Sequence, residues 1–302
     1  MLQAMIDIGS NTVRMAIYRI TDTAAVMILK KKHPLGLAAY VEDGIMQEQG
    51  IDKVCEILGE FNTFLRCFDI KDVVAFTTAA LRNAANSREA VSAITERTGI
   101  PIRVISGDEE AVFDFIGATH GAGAQDGLLV DIGGGSTELV SFKHGEILRK
   151  ISLPVGSLSL ASSFVGGIIP TAAETAAMRA HIKALFDAEP FFEGLCHEHI
   201  SGIGGTLKST SELYRRLYQS DEATPLLVSH FNEIINRYSG SVPEADLALL
   251  FLAAPDRLHT LFPGMIIAEA VAERLGSRTL LYSDSGVREG YLYAEILPRV
   301  RK

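Results

Sequence analysis

The chain has 302 residues, with 28 Lys and Arg against 37 Asp and Glu, a formal net charge of −9. Hydrophobic residues make up 47% and charged residues 22%, which excludes disordered and fibrous chains, while the length is at the limit of one core and predicts two domains. Both halves are acidic, which disfavours non-specific nucleic-acid binding, so an anionic ligand needs a local site.

The longest apolar run, Leu247 to Ala254, is far below the roughly 18 residues of a membrane span. Asp7 follows the start without a basic leader, and Cys55, Cys67 and Cys196 form no CxxC pair; a cytoplasmic protein is expected.

In chain order, Gln3 to Tyr18 reads as a strand, a turn at Asp7-Ile8-Gly9-Ser10-Asn11, and an alternating strand through Val13, Met15 and Ile17. A helix is expected over Ile51 to Phe68, a strand over Val73 to Phe76, and a helix over Ala79 to Arg97. A strand at Ile102 to Ile105 leads into a helix at Asp108 to Ala118. Gly127 to Phe142 then repeats the opening pattern around Asp131-Ile132-Gly133-Gly134-Gly135-Ser136-Thr137, 124 residues later. Further on come a helix at Thr171 to Phe186 and a strand at Ile200 to Ile203. The last elements are a helix at Met265 to Leu275, a strand at Thr279 to Tyr282 and a helix at Glu289 to Arg299.

Strands alternating with helices predict an α/β architecture, and the repeated turn predicts two domains related by duplication. Residues 1–118 and 119–302 are the expected domains, divided within the Gly/Ala-rich stretch 117–127 and tightly joined around a cleft.

A glycine directly after a strand lets successive N–H groups converge on an anion, and an Asp at the strand end suits Mg²⁺ beside phosphate. Gly9, Ser10 and Asn11 with Asp7, and Gly133 to Thr137 with Asp131 and Glu138, are therefore candidate phosphate cradles with metal ligands. Gly204-Gly205-Thr206, after a third strand, is a further candidate turn or an ordinary helix entry. Arg82 is read at the start of a helix, where a cation is unfavourable and asks for another reason, such as forking onto a phosphate. Glu110 stands in an acidic helix start, Asp108-Glu109-Glu110, which also complements the helix dipole. Cys196-His197-Glu198-His199 lacks a second ligand pair at a zinc spacing, and Lys30-Lys31-Lys32 reads as a solvated edge.

The two cradles and the Gly-Gly-Thr turn resemble the actin, heat-shock chaperone and sugar kinase superfamily. Thr78 to Asn86, Ile105 to Ala111, Val130 to Glu138, Ser152 to Gly156 and Ser283 to Gly290 resemble, more narrowly, the exopolyphosphatase and guanosine pentaphosphate phosphohydrolase (Ppx/GppA) family in its short form. The resemblance implies two ribonuclease-H-like, actin-like ATPase domains with an interdomain cleft, the last helix packing back on the first domain. It also implies Mg²⁺-dependent hydrolysis, with Mn²⁺ as a substitute, of the terminal phosphoanhydride of polyphosphate or guanosine pentaphosphate. Glu110 would be the base activating water, Arg82 and Arg14 phosphate contacts, Asn86 an orienting or substrate-touching group, and Asp131 and Glu138, with Asp7, the metal ligands. Partners would be the substrate alone or a second copy in a homodimer, without nucleic acid or membrane. Val112 and Ser159 stand where many relatives carry arginine. An alarmone sensor with little turnover and an ATP-dependent kinase are the alternatives from other functional classes.

Overall fold

The protein is described from a computed structural model covering residues 1–21, 24–120, 126–222 and 224–300. The chain forms two units, residues 1–110 with 291–302 and residues 111–290. Residues 121–125 of the Gly/Ala-rich stretch lie outside the described residues.

In the first unit β1 (Leu2–Ile8), β2 (Thr12–Ile20) and β3 (Ala25–Pro34) form an antiparallel meander. A small ladder pairs β4 (Val41–Glu42) with β5 (Ile45–Met46). After α1 (Glu48–Cys67), the strands β6 (Asp72–Thr77) and β7 (Ile102–Val104) add parallel to β1, giving the order β3-β2-β1-β6-β7. Alternation explains the core: Ala4, Ile6, Ile8, Val13, Met15 and Ile17 project from one face onto Val54, Leu58 and Phe61 of α1.

The expected helix over Ala79 to Arg97 is two helices, α2 (Ala79–Arg82) and α3 (Ser87–Thr98). At the break the Asn86 carboxamide acts as a backbone substitute, accepting from Met46 N at 2.8 Å and donating to Met46 O at 2.9 Å. Such side-chain competition for backbone partners is why Asn interrupts helices.

α4 (Gly107–Thr119) leads into the second unit, where β8 (Gly127–Ile132), β9 (Thr137–Lys143) and β10 (Glu146–Leu153) repeat the meander. Two helices follow, α5 (Ser157–Phe164) and α6 (Ala172–Asp187), and then β11 (His199–Ile203) and α7 (Gly204–Tyr218). β12 (Leu226–Leu227), α8 (Ser229–Arg237), α9 (Leu247–Ala253), α10 (Leu258–Leu275) and β13 (Thr279–Tyr282) complete it. Thr171 and Glu174 cap α6 reciprocally, fixing its start where the sequence predicts it. The order β10-β9-β8-β11-β13 repeats that of the first sheet, with β12 as an added antiparallel edge. Both sheets thus have the ribonuclease-H-like arrangement, an antiparallel meander extended by two parallel strands, and the fold is α/β.

The chain ends in α11 (Val287–Tyr291), a π-helical turn (Leu292–Ile296) and α12 (Leu297–Val300), in place of one expected helix over Glu289 to Arg299. In the first unit Tyr291 stacks on Phe76, ring centroids 5.2 Å apart. Among the described residues no helix is long and apolar enough to cross a membrane.

Candidate active site

Parallel strands place their carboxyl ends side by side, and these ends gather the candidate residues of each unit. In the first unit the ends of β1, β6 and β7 are tied directly. Thr77 Oγ1 donates to Ile8 O at 2.9 Å, and Ile105 N donates to Thr77 O at 3.1 Å.

The turn after β1 is closed by Gly9 N donating to Thr12 O at 3.2 Å. The Ser10 carbonyl accepts from Ala38 N, and that of Asn11 from Leu35 N and Gly36 N. In a trans peptide the following N–H points opposite to its carbonyl, so capture of the Ser10 oxygen turns the Asn11 N–H away from residues 35–38. Asn11 Nδ2 is buried there without a hydrogen-bond partner, a donor awaiting an acceptor. Asp7, itself buried, lies opposite Arg14 in the hairpin register, and their side chains meet at 3.4 Å.

Arg82 closes the one-turn helix α2, so it sits at a helix C-terminus and not at the start of a longer one; the expected dipole conflict is absent. Its guanidinium is fixed by Glu110 Oε2 at 2.5 Å, Ile105 O at 3.4 Å and Asn83 Oδ1 at 3.3 Å. Glu110, in the first turn of α4, is 7% exposed. Its neighbour Glu109 has a different task. The Glu109 carboxylate accepts from Ser106 N at 2.8 Å and from Arg103 at 2.6 Å, while Ser106 Oγ accepts from Glu109 N. That cap, through the Ser106 amide first, holds Glu109 below the usual carboxylate range. Asn86, bound to Met46, serves the α2–α3 corner.

In the second unit Gly133 N donates to Ser136 O at 2.9 Å, the same closure as in the first turn. The carbonyls of Gly133 and Gly134 accept from Ser157, Leu158 and Ser159 in the first turn of α5. Both peptides are thereby oriented, and the N–H groups of Gly134 and Gly135 point away from α5. A Cβ on Gly156 would stand 2.5 Å from the Gly134 carbonyl, so only glycine permits this approach. The hydroxyls of Thr137 and Thr206 are used within the fold, by Val155 O at 2.7 Å and Ser157 Oγ at 3.1 Å. Both hydroxyls are thus committed to contacts inside the second unit.

Asp131 lies opposite Glu138 across the β8–β9 hairpin. Glu138 is 2% exposed and accepts from Ser152 Oγ at 2.7 Å. Gly204, with φ +86°, backs onto the Asp131 carboxylate, and any Cβ there would collide with Oδ1. Two adjacent carboxylates are the hard oxygen donors that Mg²⁺ takes alongside water and phosphate oxygens, so this pair fits the ion. Among the described residues no group of three or more His, Cys, Asp or Glu side chains is arranged to hold a metal. The Cys196-His197-Glu198-His199 segment instead engages Ser141 through His197 at 3.2 Å and Thr279 through His199 at 2.7 Å.

Two further residues adjoin the candidate ones only in the structure. Ser152 positions Glu138 from the third strand of the meander. Arg257 lies against the third glycine turn, where a Cβ on Gly205 would be 2.6 Å from its Cζ. No local motif marks Arg257, which precedes α10 by one residue and lies 52 positions from Gly205. Its charge adds to burial in holding His259 below the usual imidazole range. Ser159, where many relatives carry arginine, caps α5: its Oγ accepts from Gly156 N at 3.0 Å.

The family model of the Ppx/GppA phosphatase family matches residues 16–299 of this chain. A putative exopolyphosphatase of Haemophilus influenzae is 26% identical over 294 residues, covering 96% of this chain and 90% of its own. The solved structure of a PPX-GPPA enzyme from Aquifex aeolicus is 27% identical with a TM-score of 0.75, covering 98% and 99% of the two chains. An exopolyphosphatase structure from Cytophaga hutchinsonii, 22% identical, has a TM-score of 0.86 over 99% and 98%, a likeness of fold.

Proposed function

From the premise that this chain belongs to the Ppx/GppA phosphatase family, we propose that it hydrolyses the terminal phosphoanhydride bond of inorganic polyphosphate or guanosine pentaphosphate, with Mg²⁺ as cofactor and Mn²⁺ as a substitute. The observation that carries this reading is the buried Glu110 carboxylate held at 2.5 Å by Arg82. An anion-binding module gains nothing from a buried carboxylate, which repels its ligand; a hydrolase needs one to take a proton from water.

In the reaction a water oxygen attacks the terminal phosphorus as Glu110 accepts its proton. The bond from that phosphorus to the bridging oxygen breaks, and the electron pair leaves with the shortened chain. Orthophosphate is the second product. Arg82 and Arg14 neutralise the phosphoryl oxygens, Asp7 orients Arg14, and the amides of Asn11, Gly134 and Gly135 receive phosphate oxygens. Asp131 and Glu138 would hold Mg²⁺, which when bound offsets charge on the phosphate chain. Positioning and charge stabilisation supply most of the barrier reduction in such a transfer.

The test is phosphate release by wild type and Glu110→Gln from tripolyphosphate, long-chain polyphosphate, guanosine pentaphosphate and ATP. The variant is expected to lose about 10²–10⁴-fold in kcat with its circular dichroism unchanged. Turnover near that of wild type would overturn the assignment. The substrate with the highest kcat/KM identifies the physiological class, and exclusive transfer from ATP to an added sugar would make the protein a kinase.

A further inference from the structure

Three consecutive lysines lie on β3, the outer strand of the first sheet, and the strand register sorts them onto two faces. Lys31 belongs to the core side. Its Nζ lies 6.0 Å from the Phe61 ring centre and 5.8 Å from that of Phe64, and 4.0 Å from the Glu60 carboxylate. Next to it on the same face, His33 packs edge-on to Phe61. Lys32 is on the opposite face, directly across from Arg14, and Lys30 is across from Ala16. Because Arg14 is in turn across from Asp7, one continuous row runs over β1, β2 and β3: Asp7, Arg14, Lys32, with Lys30 two steps along the edge.

Directly paired residues in an antiparallel ladder are about 5 Å apart, and two steps along a strand cover roughly 7 Å. The row therefore places cations at successive short intervals outward from Arg14, and both Lys30 and Lys32 are exposed. A linear polyanion presents negative charge at every unit, so its charge pattern matches such a row. A nucleoside finds no match, because the only aromatic ring of β3, that of His33, is on the other face against Phe61. We infer that Lys32 and Lys30 form an outlying subsite for the internal phosphate units of inorganic polyphosphate and favour long chains over short ones. This rests on the reading above that Arg14 contacts phosphate.

Lysines on a sheet edge also discourage strand pairing, a role blind to the length of any ligand. Calorimetric binding of long-chain polyphosphate and of pyrophosphate separates the two. The probes are added to wild type, to Lys30→Gln/Lys32→Gln, and to Lys53→Gln, an exposed lysine on α1 paired with Glu56. The double variant is expected to bind long chains more weakly by about two- to fivefold per lysine, with pyrophosphate binding unchanged and Lys53→Gln behaving as wild type. Equal weakening for both probes, no weakening for either, the same loss in Lys53→Gln, or no long-chain binding by wild type overturns the subsite. Length-selective binding without phosphate release would retain the subsite and remove the hydrolytic reading. Hydrolysis of guanosine pentaphosphate without polyphosphate binding would do the reverse.

Discussion

The hairpins that open the two sheets are the same backbone with opposite electrostatics. Asp7 to Arg14 and Asp131 to Glu138 are both eight residues long and are closed by the same hydrogen bond, from Gly9 to Thr12 O and from Gly133 to Ser136 O. Each begins with a carboxylate at a strand end, and each pairs that carboxylate across the ladder. Its partner is a cation in the first hairpin, Arg14, and a second carboxylate in the other, Glu138. One side chain across the ladder thus decides whether the strand-end carboxylate faces a cation or a second carboxylate, and the proposed function uses the first pair for phosphate and the second for a metal ion. The frame is repeated, and the charge is reversed at one register position.

The sharpest way to break this comparison is to remove the strand-end carboxylates in turn. Asp131→Asn should lower phosphate release about 10²-fold or more and shift the Mg²⁺ requirement upward, since a lost metal ligand costs several kcal/mol of charge stabilisation. Asp7→Asn should leave the Mg²⁺ requirement unchanged. An identical metal titration for the two variants would mean that the hairpins are not specialised.

Arg14→Gln comes next. Loss of a charged hydrogen-bonding group should raise KM about 10- to 100-fold with kcat largely retained. A fall in kcat at unchanged KM would place Arg14 outside the binding role. Steady-state kinetics on the preferred substrate reads both.

Gly156→Ala tests the support that only the second hairpin has. With its Cβ 2.5 Å from the Gly134 carbonyl, the variant should lose about 1–3 kcal/mol in denaturant unfolding. Gly59→Ala, inside α1 with nothing within 4 Å of the new Cβ, should instead gain about 0.5–1 kcal/mol. Equal stabilities would contradict the packing around the triple glycine. Ser152→Ala closes the series. It removes the donor to Glu138 and should raise the Mg²⁺ concentration for half-maximal rate about tenfold, with kcat at saturating metal near wild type. An unchanged metal titration would restrict Ser152 to a structural part.

Most strands and helices were legible because burial imposes its period: Ala4, Ile6 and Ile8 alternate, and α1 repeats Val54, Leu58, Phe61 and Leu65 at helical spacing. The outer strands β3 and β10 were not. Each is an edge, and each carries a register shift, at Ile17/Tyr18 against β3 and at Ile147/Arg149 of β10. Ile28 and Leu148 are exposed as a result, so alternation fails where the pattern is sought. The break between α2 and α3 was hidden for a different reason, since Asn86 is occupied by Met46, 40 residues away. Likewise α10 starts at Leu258 and continues through Pro263, seven residues before its expected start at Met265.

By itself the sequence determined that the chain is α/β, that its opening hairpin is duplicated, and which turns demand glycine, because these are consequences of local sterics and burial period. It also marked Glu110 and Arg82 as residues to explain, though with Arg82 at the wrong end of a helix. Only the tertiary structure decided what each polar group touches: Arg14 on Asp7, Ser152 on Glu138, Arg257 beside Gly205, Asn86 on Met46. Those pairings depend on strand register and on segments up to 52 residues apart, and a hydrogen bond or ion pair is short-ranged and directional, so it exists only once the sheets have aligned its two ends.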